Sequence, residues 1–219
     1  RPSLPPAIAH LVNLTAALSV ADAARSLLDL ELQLKWPNDL LLPHDALTGD
    51  KKVCGILSES ATRNGSIDYC VTGIGLNLYK PHALPADVAA RAGWLCRREN
   101  RSRENRSGKN GEAAFREAIE RAELLARIAG NFFEWIRNLE REGVTPMLEI
   151  YRERCASVGR VLEVVTEGET LRGLCLGVGG EGELILETPG GPRRFYVADV
   201  VHARLGVRKD HAERNAGKE

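Results

Sequence analysis

Three short segments between residues 35 and 77 constrain this chain most, because each places residues that strands avoid inside an apolar strand pattern. They are Lys35–Asp39, Lys52–Leu57 and Gly73–Asn77. Lysine is rarely buried unless something negative meets it, and glycine weakens a strand unless a backbone or a ligand must come close. Three such exceptions in consecutive strands predict a small-molecule pocket that receives an anionic group.

The composition predicts a reduced protein with one good core and a small additional domain. Of the 219 residues 43% are apolar and the formal net charge is +0, so bulk electrostatics does not favour nucleic acid or an anionic membrane as the main partner. The five cysteines are scattered without a Cys-x-x-Cys pair, which predicts no disulfide framework, no zinc site and a cytoplasmic location. The apolar stretch near the N-terminus contains several polar residues and predicts a buried core helix.

Hydrophobic periodicity predicts an α+β fold with a mixed, largely antiparallel sheet. Strands are predicted over residues 32–35, 40–42, 52–60 and 67–79, after a helix that runs from Pro5 to about Leu28. A second helix is predicted over 113–141 with Gly143 as its cap, followed by a short helix over 146–154. Its predicted buried stripe consists of Leu124, Leu125, Ile128, Phe132, Trp135, Ile136 and Leu139.

The remaining segments predict a second, smaller unit and a solvated loop. Residues 82–112 have an irregular pattern, and their arginine-rich part at 97–111 is typical of exposed, mobile chain. Short strands over 161–166, 171–178, 183–187 and 193–197, separated by glycine-containing turns, predict a small β-barrel. We therefore expect one domain over residues 1–155, a second over 156–206 and a disordered tail over 207–219.

Strand alternation indicates how the pocket is built. Gly73, Gly75 and Asn77 share one face of an ideal strand. The two glycines leave this face free of side chains and form the floor of the pocket, and the side-chain amide of Asn77 lies at the end of that floor. Strict alternation puts Lys52 and Gly55 on opposite faces. They serve one ligand only if the strand bends at its start or the long lysine stem reaches round.

Each of these residues also has an ordinary structural interpretation. A lysine at a strand end is usually solvated, paired glycines can mark a bulge, and an asparagine can close a turn. A tryptophan more often packs in a core than stacks on a ligand. These alternatives apply to Lys35, Lys52, Gly73, Gly75, Asn77 and Trp36.

Taken together and in this order, the three segments resemble the biotin–protein ligase family. The pattern is Lys-Trp-Pro-Asn-Asp at Lys35–Asp39, Lys-x-x-Gly-Ile-Leu-x-Glu at Lys52–Glu59, and Gly-x-Gly-x-Asn at Gly73–Asn77. The resemblance extends from about residue 11 to about residue 205, with 97–111 as an insertion or divergent loop. It implies a catalytic domain like that of class II synthetases, here incomplete, followed by an SH3-like barrel.

The resemblance also implies a reaction and a set of site residues. Biotin and MgATP would give biotinyl-5'-adenylate, and a lysine of a biotin carboxyl carrier domain would then take the biotinyl group. Lys52 matches the catalytic lysine that contacts both the biotin carboxylate and the adenylate phosphate, and Asp39 would orient cationic groups. No protein ligand to a metal is implied. The matching biotin-binding residues are Lys52, Gly55, Leu57, Gly73 and Gly75, and the nucleotide-binding residues are Asn77, Lys35, Trp36, Asn38 and Asp39.

The sequence also departs from this family, which leaves other functions open. Nothing in residues 1–34 matches the family's upstream Gly/Arg-rich loop or the winged helix of some members, and the single methionine is Met147. We therefore expect a truncated product or a fragment with no DNA contact and an exposed sheet edge through which a homodimer can form. The alternatives are a non-catalytic module that binds biotin or the carrier domain, and a lipoate or octanoate ligase, although Lys35–Asp39 favours biotin.

Overall fold

The computed structural model describes residues 8–43, 50–64, 66–96, 120–196 and 202–208. Residues 44–49, between the strands predicted at 40–42 and 52–60, lie outside the described residues, and so do the arginine-rich segment 97–111 and the chain beyond 208. The helices and strands are α1 Leu11–Leu28, β1 Gln33–Lys35, β2 Asp39–Leu42, β3 Lys51–Arg63, β4 Ser66–Leu76, α2 Ala86–Ala89, α3 Arg121–Glu142, α4 Thr145–Glu153, β5 Arg160–Val165, β6 Thr170–Val178, β7 Leu184–Thr188, β8 Gly191–Phe195 and β9 His202–Arg208.

The first sheet consists of β1 to β4 in chain order, and every neighbouring pair is antiparallel. Short turns join β1 to β2 and β3 to β4, and short connections favour antiparallel neighbours. One face of this sheet carries Leu34, Leu40 and Cys54, which are directly paired across three strands and almost fully buried. This face packs into the core beneath α1, so the opposite face is left for the polar residues of the three segments.

Helix α1 is enclosed on nearly all sides, as its all-round apolar content predicts. By length and composition it also resembles a membrane span, but 83% of it is buried inside the protein. Two of its hydroxyl groups form hydrogen bonds with the helix backbone, since Thr15 and Ser19 each donate to the carbonyl four residues earlier. The helix is therefore the centre of the core.

Helix α3 packs across α1 and begins at Arg121, after an extended Glu120. Residues 113–119 of the predicted helix lie outside the described residues. The indole of Trp135 donates to Asp22 at 2.9 Å, and the amide of Asn131 donates to the carbonyl of Ser19 at 3.2 Å. The prediction that Leu125 belongs to the buried stripe is wrong, because its side chain is 68% exposed. Leu125 follows Leu124 directly, and adjacent residues on a helix point about 100° apart, so Leu125 falls outside the part of the helix surface that buries Leu124. The buried members are Leu124, Ile128, Ile136 and Leu139.

The second sheet is antiparallel throughout, with the strand order β8-β7-β6-β5-β9. Strand β9 was not predicted, and it pairs with β5 over residues 202–208. The predicted disordered tail therefore starts too early, because positions 207 and 208 belong to this strand. The charged composition of the segment suggested a solvated tail, whereas pairing with β5 satisfies its backbone.

Hydrogen bonds and an ion pair connect the two sheets. The backbone of Leu34 accepts a hydrogen bond from Ala156 at 2.7 Å and donates one to Arg154 at 2.8 Å. A partly buried ion pair joins Arg160 at the start of β5 to Asp50 before β3, with a nitrogen–oxygen distance of 2.7 Å. The loop between β6 and β7 also reaches α1, where the ring Nε2 of His10 meets the carbonyl oxygen of Glu181 at 2.5 Å.

Candidate functional site

A row of four directly paired residues crosses the first sheet on its polar face. Lys35 pairs with Asp39, Asp39 pairs with Gly55, and Gly55 pairs with Gly75. Residues that are paired across antiparallel strands point to the same side of the sheet. The sheet therefore brings one residue or more from each of the three sequence segments into a single line.

A β-bulge places Lys52 on this same face. Leu40 pairs with Cys54 but the next residue, Leu41, pairs with Lys52, so Val53 is the extra residue of β3. An extra residue reverses the alternation of the strand that carries it. The expectation from strict alternation, that Lys52 and Gly55 lie on opposite faces, is therefore wrong, and the bend that was the condition for one shared ligand is present.

Asp39 holds two ammonium groups at the centre of the row. One carboxylate oxygen accepts from Nζ of Lys35 at 2.7 Å, and the other forms an ion pair with Nζ of Lys52. The Asp39 side chain is 9% exposed and that of Lys35 18%, whereas that of Lys52 is 48% exposed. Two cations and one anion leave a net positive charge, and Lys52 is the member that can meet an incoming anion.

Glycines form the floor of an open groove beside these charges. The groove has a volume of about 590 Å³ and is lined by Asn38, Gly55, Ile56, Leu57, Gly73, Ile74 and Gly75. A Cβ atom added at Gly55 would lie 3.1 Å from Nζ and 3.2 Å from Cε of Lys52, closer than most real Cβ contacts. At Gly73 and Gly75 an added Cβ would make only ordinary contacts, at 3.7 and 3.6 Å. Gly55 therefore leaves room for the Lys52 stem, while the other two keep the groove open.

The turn between β1 and β2 is fixed by contacts from several directions. The backbone amide of Ile56 donates to the carbonyl of Asn38 at 2.8 Å, and the Asn38 side chain donates to the carbonyl of Ile56 at 3.0 Å. The amide of Asn13 on α1 donates to the carbonyl of Pro37 at 3.4 Å. Trp36 is 0% exposed, so its ring lies in the core and offers no free face to the groove.

The segment 91–96, which was predicted to be irregular, lies against Lys52 and Asn77. The amide of Lys52 donates to the carbonyl of Arg91, and the amide of Gly93 donates back to Lys52, both at 2.8 Å. The carbonyl of Asn77 accepts from Leu95 at 3.1 Å, and the Asn77 side chain donates to the carbonyl of Lys52 at 3.3 Å. The short apolar run from residue 94 to 96 was the available signal that this loop is partly buried.

Burial changes one titratable group directly behind the site. Burial raises the pKa of the Cys54 thiol to about 12, while nearby Lys52 lowers it and Asp39 raises it further. The thiol faces the core side of β3 and is 1% exposed. It is therefore a neutral packing group and not a nucleophile of this site.

The comparisons with known proteins identify the sequence pattern. Residues 2–77 match the sequence model described as "Biotin/lipoate A/B protein ligase family". Over this segment the chain is similar to members of that family. Every site residue predicted above, from Lys35 to Asn77, lies inside the matched segment.

Curated relatives of the family match most of this chain. The chain is 27% identical over 201 residues to the "Bifunctional ligase/repressor BirA" of Bacillus subtilis, covering 91% of this chain and 55% of that protein. It is 28% identical over 170 residues to the "Biotin--[acetyl-CoA-carboxylase] ligase" of Paracoccus denitrificans, covering 77% of this chain and 62% of that protein. The chain thus spans about half the length of the first of these relatives.

The fold is that of solved biotin protein ligases. A structure of the enzyme from Aquifex aeolicus, in complex with biotin and ATP, superimposes with a TM-score of 0.66 at 20% identity. The match covers 90% of this chain and 72% of that one. A further structure of the Aquifex aeolicus ligase gives a TM-score of 0.68 over 91% of this chain. The predicted α+β class with antiparallel sheets is confirmed by these matches and by the strand pairing.

Proposed function

We propose that this chain carries out the chemistry of a biotin–protein ligase. It would activate biotin with ATP to biotinyl-5'-AMP and then transfer the biotinyl group to a lysine of a biotin carboxyl carrier domain. The observation that carries the proposal is the Lys35–Asp39–Lys52 cluster beside a glycine-floored groove, in a segment that matches the sequence model of this family. The name of the Paracoccus denitrificans relative supports biotin as the acid.

The charge of the cluster suits the first step. A biotin carboxylate and the phosphates of ATP repel each other, so a cation is needed to bring them together. We propose Lys52 for this role, because its ammonium is half-exposed and lies next to Gly55 at the groove. Asp39 would hold this ammonium in place, since its carboxylate is buried and contacts both lysines.

The groove suits the uncharged part of the acid. Gly55, Gly73 and Gly75 remove side chains from the floor, and Leu57 adds an apolar wall that is 66% exposed. We propose that the biotin rings lie on this floor. Apolar lining with a few placed polar groups is typical of small-molecule sites.

We propose that the nucleotide lies on the side of Asn77 and of the β1–β2 turn. Lys35, Asn38 and Asp39 belong to this turn, and the Asn77 side chain contacts the backbone of Lys52. Trp36 would contribute only through the position of the turn, because its ring is buried. Mg²⁺ would enter as part of the MgATP substrate, held mainly by the phosphates. Among the described residues no group of three or more His, Cys, Asp or Glu side chains is clustered.

In the proposed first step a biotin carboxylate oxygen attacks the α-phosphorus of ATP. A new oxygen–phosphorus bond forms, the bond to the β-phosphate bridging oxygen breaks, and pyrophosphate leaves. In the second step the lysine amine of the carrier attacks the acyl carbon, an amide forms, and AMP leaves as the amine loses its proton. Lys52 stabilises negative charge in both steps, since the phosphate it contacts is first the site of attack and then part of the leaving group.

The domain division, the cellular location and the assembly state of the chain are proposed as well. We propose a catalytic unit over residues 1–155 and an SH3-like barrel over 156–206, supported by the separate antiparallel sheet of β5 to β9. The reaction would take place in the cytoplasm. The edge of β4 is unpaired among the described strands and supports a homodimer as one assembly.

The test is pyrophosphate release by the purified chain with biotin and MgATP, comparing Lys52→Ala with Lys51→Ala. Lys51 is a matched control, since its Nζ bonds to the carbonyl of Ala90 instead of the cluster. Loss of a charge that stabilises the transition state lowers such rates about 100- to 1,000-fold. We expect this loss for Lys52→Ala and less than about threefold, roughly 0.7 kcal/mol, for Lys51→Ala. Equal rates for the two variants would remove Lys52 from the mechanism.

A second acid class is favoured by the family description, which includes lipoate ligases. The same assay with lipoate and octanoate in place of biotin separates the two. Pyrophosphate release that requires lipoate or octanoate, and that added biotin does not inhibit, would show that the substrate is a fatty acid of this kind and not biotin. Biotin binding by calorimetry without any pyrophosphate release would instead support the non-catalytic binding module.

A further inference from the structure

We infer that the chain after α4 positions the ligand-binding turn Lys35–Asp39, with Trp36 and Ser157 as positioning residues. The inference concerns residues that contact no ligand, and its effect on ligand affinity depends on the proposed function. It predicts that changes at Ser157, before β5, alter binding at the first sheet.

Two hydrogen bonds join the turn to the C-terminal part of the chain. The indole Nε1 of Trp36 donates to the carbonyl of Gly182 at 3.0 Å, and the backbone amide of Trp36 donates to the hydroxyl of Ser157 at 3.2 Å. Trp36 and Ser157 are both 0% exposed. Water cannot replace either bond, so breaking one leaves a buried polar group unpaired.

The acceptor loop between β6 and β7 is itself held in place. The guanidinium of Arg152 on α4 donates to the carbonyls of Val178 at 2.6 Å and Gly179 at 2.8 Å. The amide of Gly179 donates to the carbonyl of Glu183 at 2.7 Å, and the amide of Gly182 donates to Gly179 at 3.2 Å. The Gly182 carbonyl is therefore a fixed anchor for the indole.

The contacts continue from Trp36 to the charged cluster. Asn38 and Asp39 follow Trp36 by two and three residues, and Asn38 is tied in both directions to Ile56 on β3. Asp39 in turn holds the ammonium of Lys52. A shift of Trp36 is thus transmitted through a short, hydrogen-bonded turn to the group proposed to meet the anion.

The test compares Trp36→Phe with Trp135→Phe. Both substitutions keep an aromatic ring and remove one indole N–H bond, but the Trp135 indole bonds to Asp22, outside the turn. We expect the biotin Kd of Trp36→Phe to rise about fivefold, the value of one lost neutral hydrogen bond, and that of Trp135→Phe to stay within a factor of two. Ser157→Ala should weaken binding similarly, and Ser157→Thr should restore it because the hydroxyl is kept.

Hydrogen exchange of the segment 36–39 gives a readout that needs no ligand. We expect faster exchange there in Trp36→Phe and Ser157→Ala but not in Trp135→Phe, with similar melting temperatures for all three. Unchanged exchange at 36–39 would overturn the positioning role, as would equal losses of affinity in both tryptophan variants. If the wild-type chain binds no biotin but exchange rises only in the Trp36 and Ser157 variants, the positioning role stands and the proposed function fails.

Discussion

Replacement of Gly55 by alanine tests whether the position of Lys52 determines ligand affinity. The new methyl group would lie 3.1 Å from Nζ and 3.2 Å from Cε of Lys52, so the lysine must move by a few tenths of an ångström. We expect the Lys52 side chain to move, because the methyl group would meet its far end and this side chain is flexible and 48% exposed. The variant therefore displaces the ammonium while leaving its charge in place.

The magnitude follows from Coulomb's law. For unit charges at an effective dielectric constant of about 20, lengthening a separation from about 3.0 to about 3.5 Å reduces the attraction from about 5.5 to about 4.7 kcal/mol. The difference of about 0.8 kcal/mol corresponds to a Kd that is roughly fourfold higher. Fold stability should change by less than about 1 kcal/mol, since alanine in place of a strand glycine gains about 0.5–1 kcal/mol and a small displacement offsets it.

The assay is calorimetric titration with biotin together with thermal unfolding. Gly177→Ala is the matched control, because Gly177 also lies in a strand and an added Cβ there meets nothing within 4 Å. A Kd of Gly55→Ala within about 1.5-fold of wild type would refute the link between Lys52 and the ligand charge. A fall of the melting temperature by more than about 4 °C, equivalent to more than about 1 kcal/mol, would show that the strand moves and the lysine does not.

Two further changes test the charges and the buried thiol. Asp39→Asn leaves two ammonium groups facing each other without an anion, so we expect the free energy of unfolding in urea to fall by about 2 kcal/mol and to recover partly in 1 M salt. Burial raises the pKa of the Cys54 thiol from 9.0 to about 12, so the folded state binds a proton that the unfolded state releases. The free energy of unfolding should therefore fall as the pH rises from 9 towards 12, by up to about 1.4 kcal/mol per pH unit. The measurement is urea unfolding at pH 8 and pH 10.5, and Cys54→Ala should reduce the difference between the two.

Most helices and strands were predictable, because their apolar residues recur with the period of a helix or a strand. The prediction of antiparallel neighbours over β1 to β4 followed from short connections and is confirmed by the register. The prediction for Leu125 was wrong because an apolar residue on a helix need not belong to the buried face. Strand β9 was missed because its pairing with β5 is a contact between distant parts of the chain.

The sequence singled out the residues proposed for the site, but it did not show their geometry. The three segments contain Lys35, Asp39 and Lys52, yet their spacing does not show that one carboxylate contacts both ammonium groups. The bulge at Val53 depends on the pairing with β2 and leaves no mark in the sequence of β3 alone. The segment 91–96 was hidden for a similar reason, since only its contacts with Lys52 make it part of the site.

The bond from Trp36 to Gly182 spans 146 residues of sequence. A ribosome synthesises a chain from its N-terminus, so every residue that faces the groove is made long before the carbonyl that secures the turn beneath them. The hairpin of β3 and β4 is local and can form early, whereas closing a loop of this length is slower and costs more entropy. If this bond positions the turn as we propose, we expect the groove to reach its final shape only after the loop between β6 and β7 has been made. An unfinished chain would then have the residues of the proposed site without their geometry.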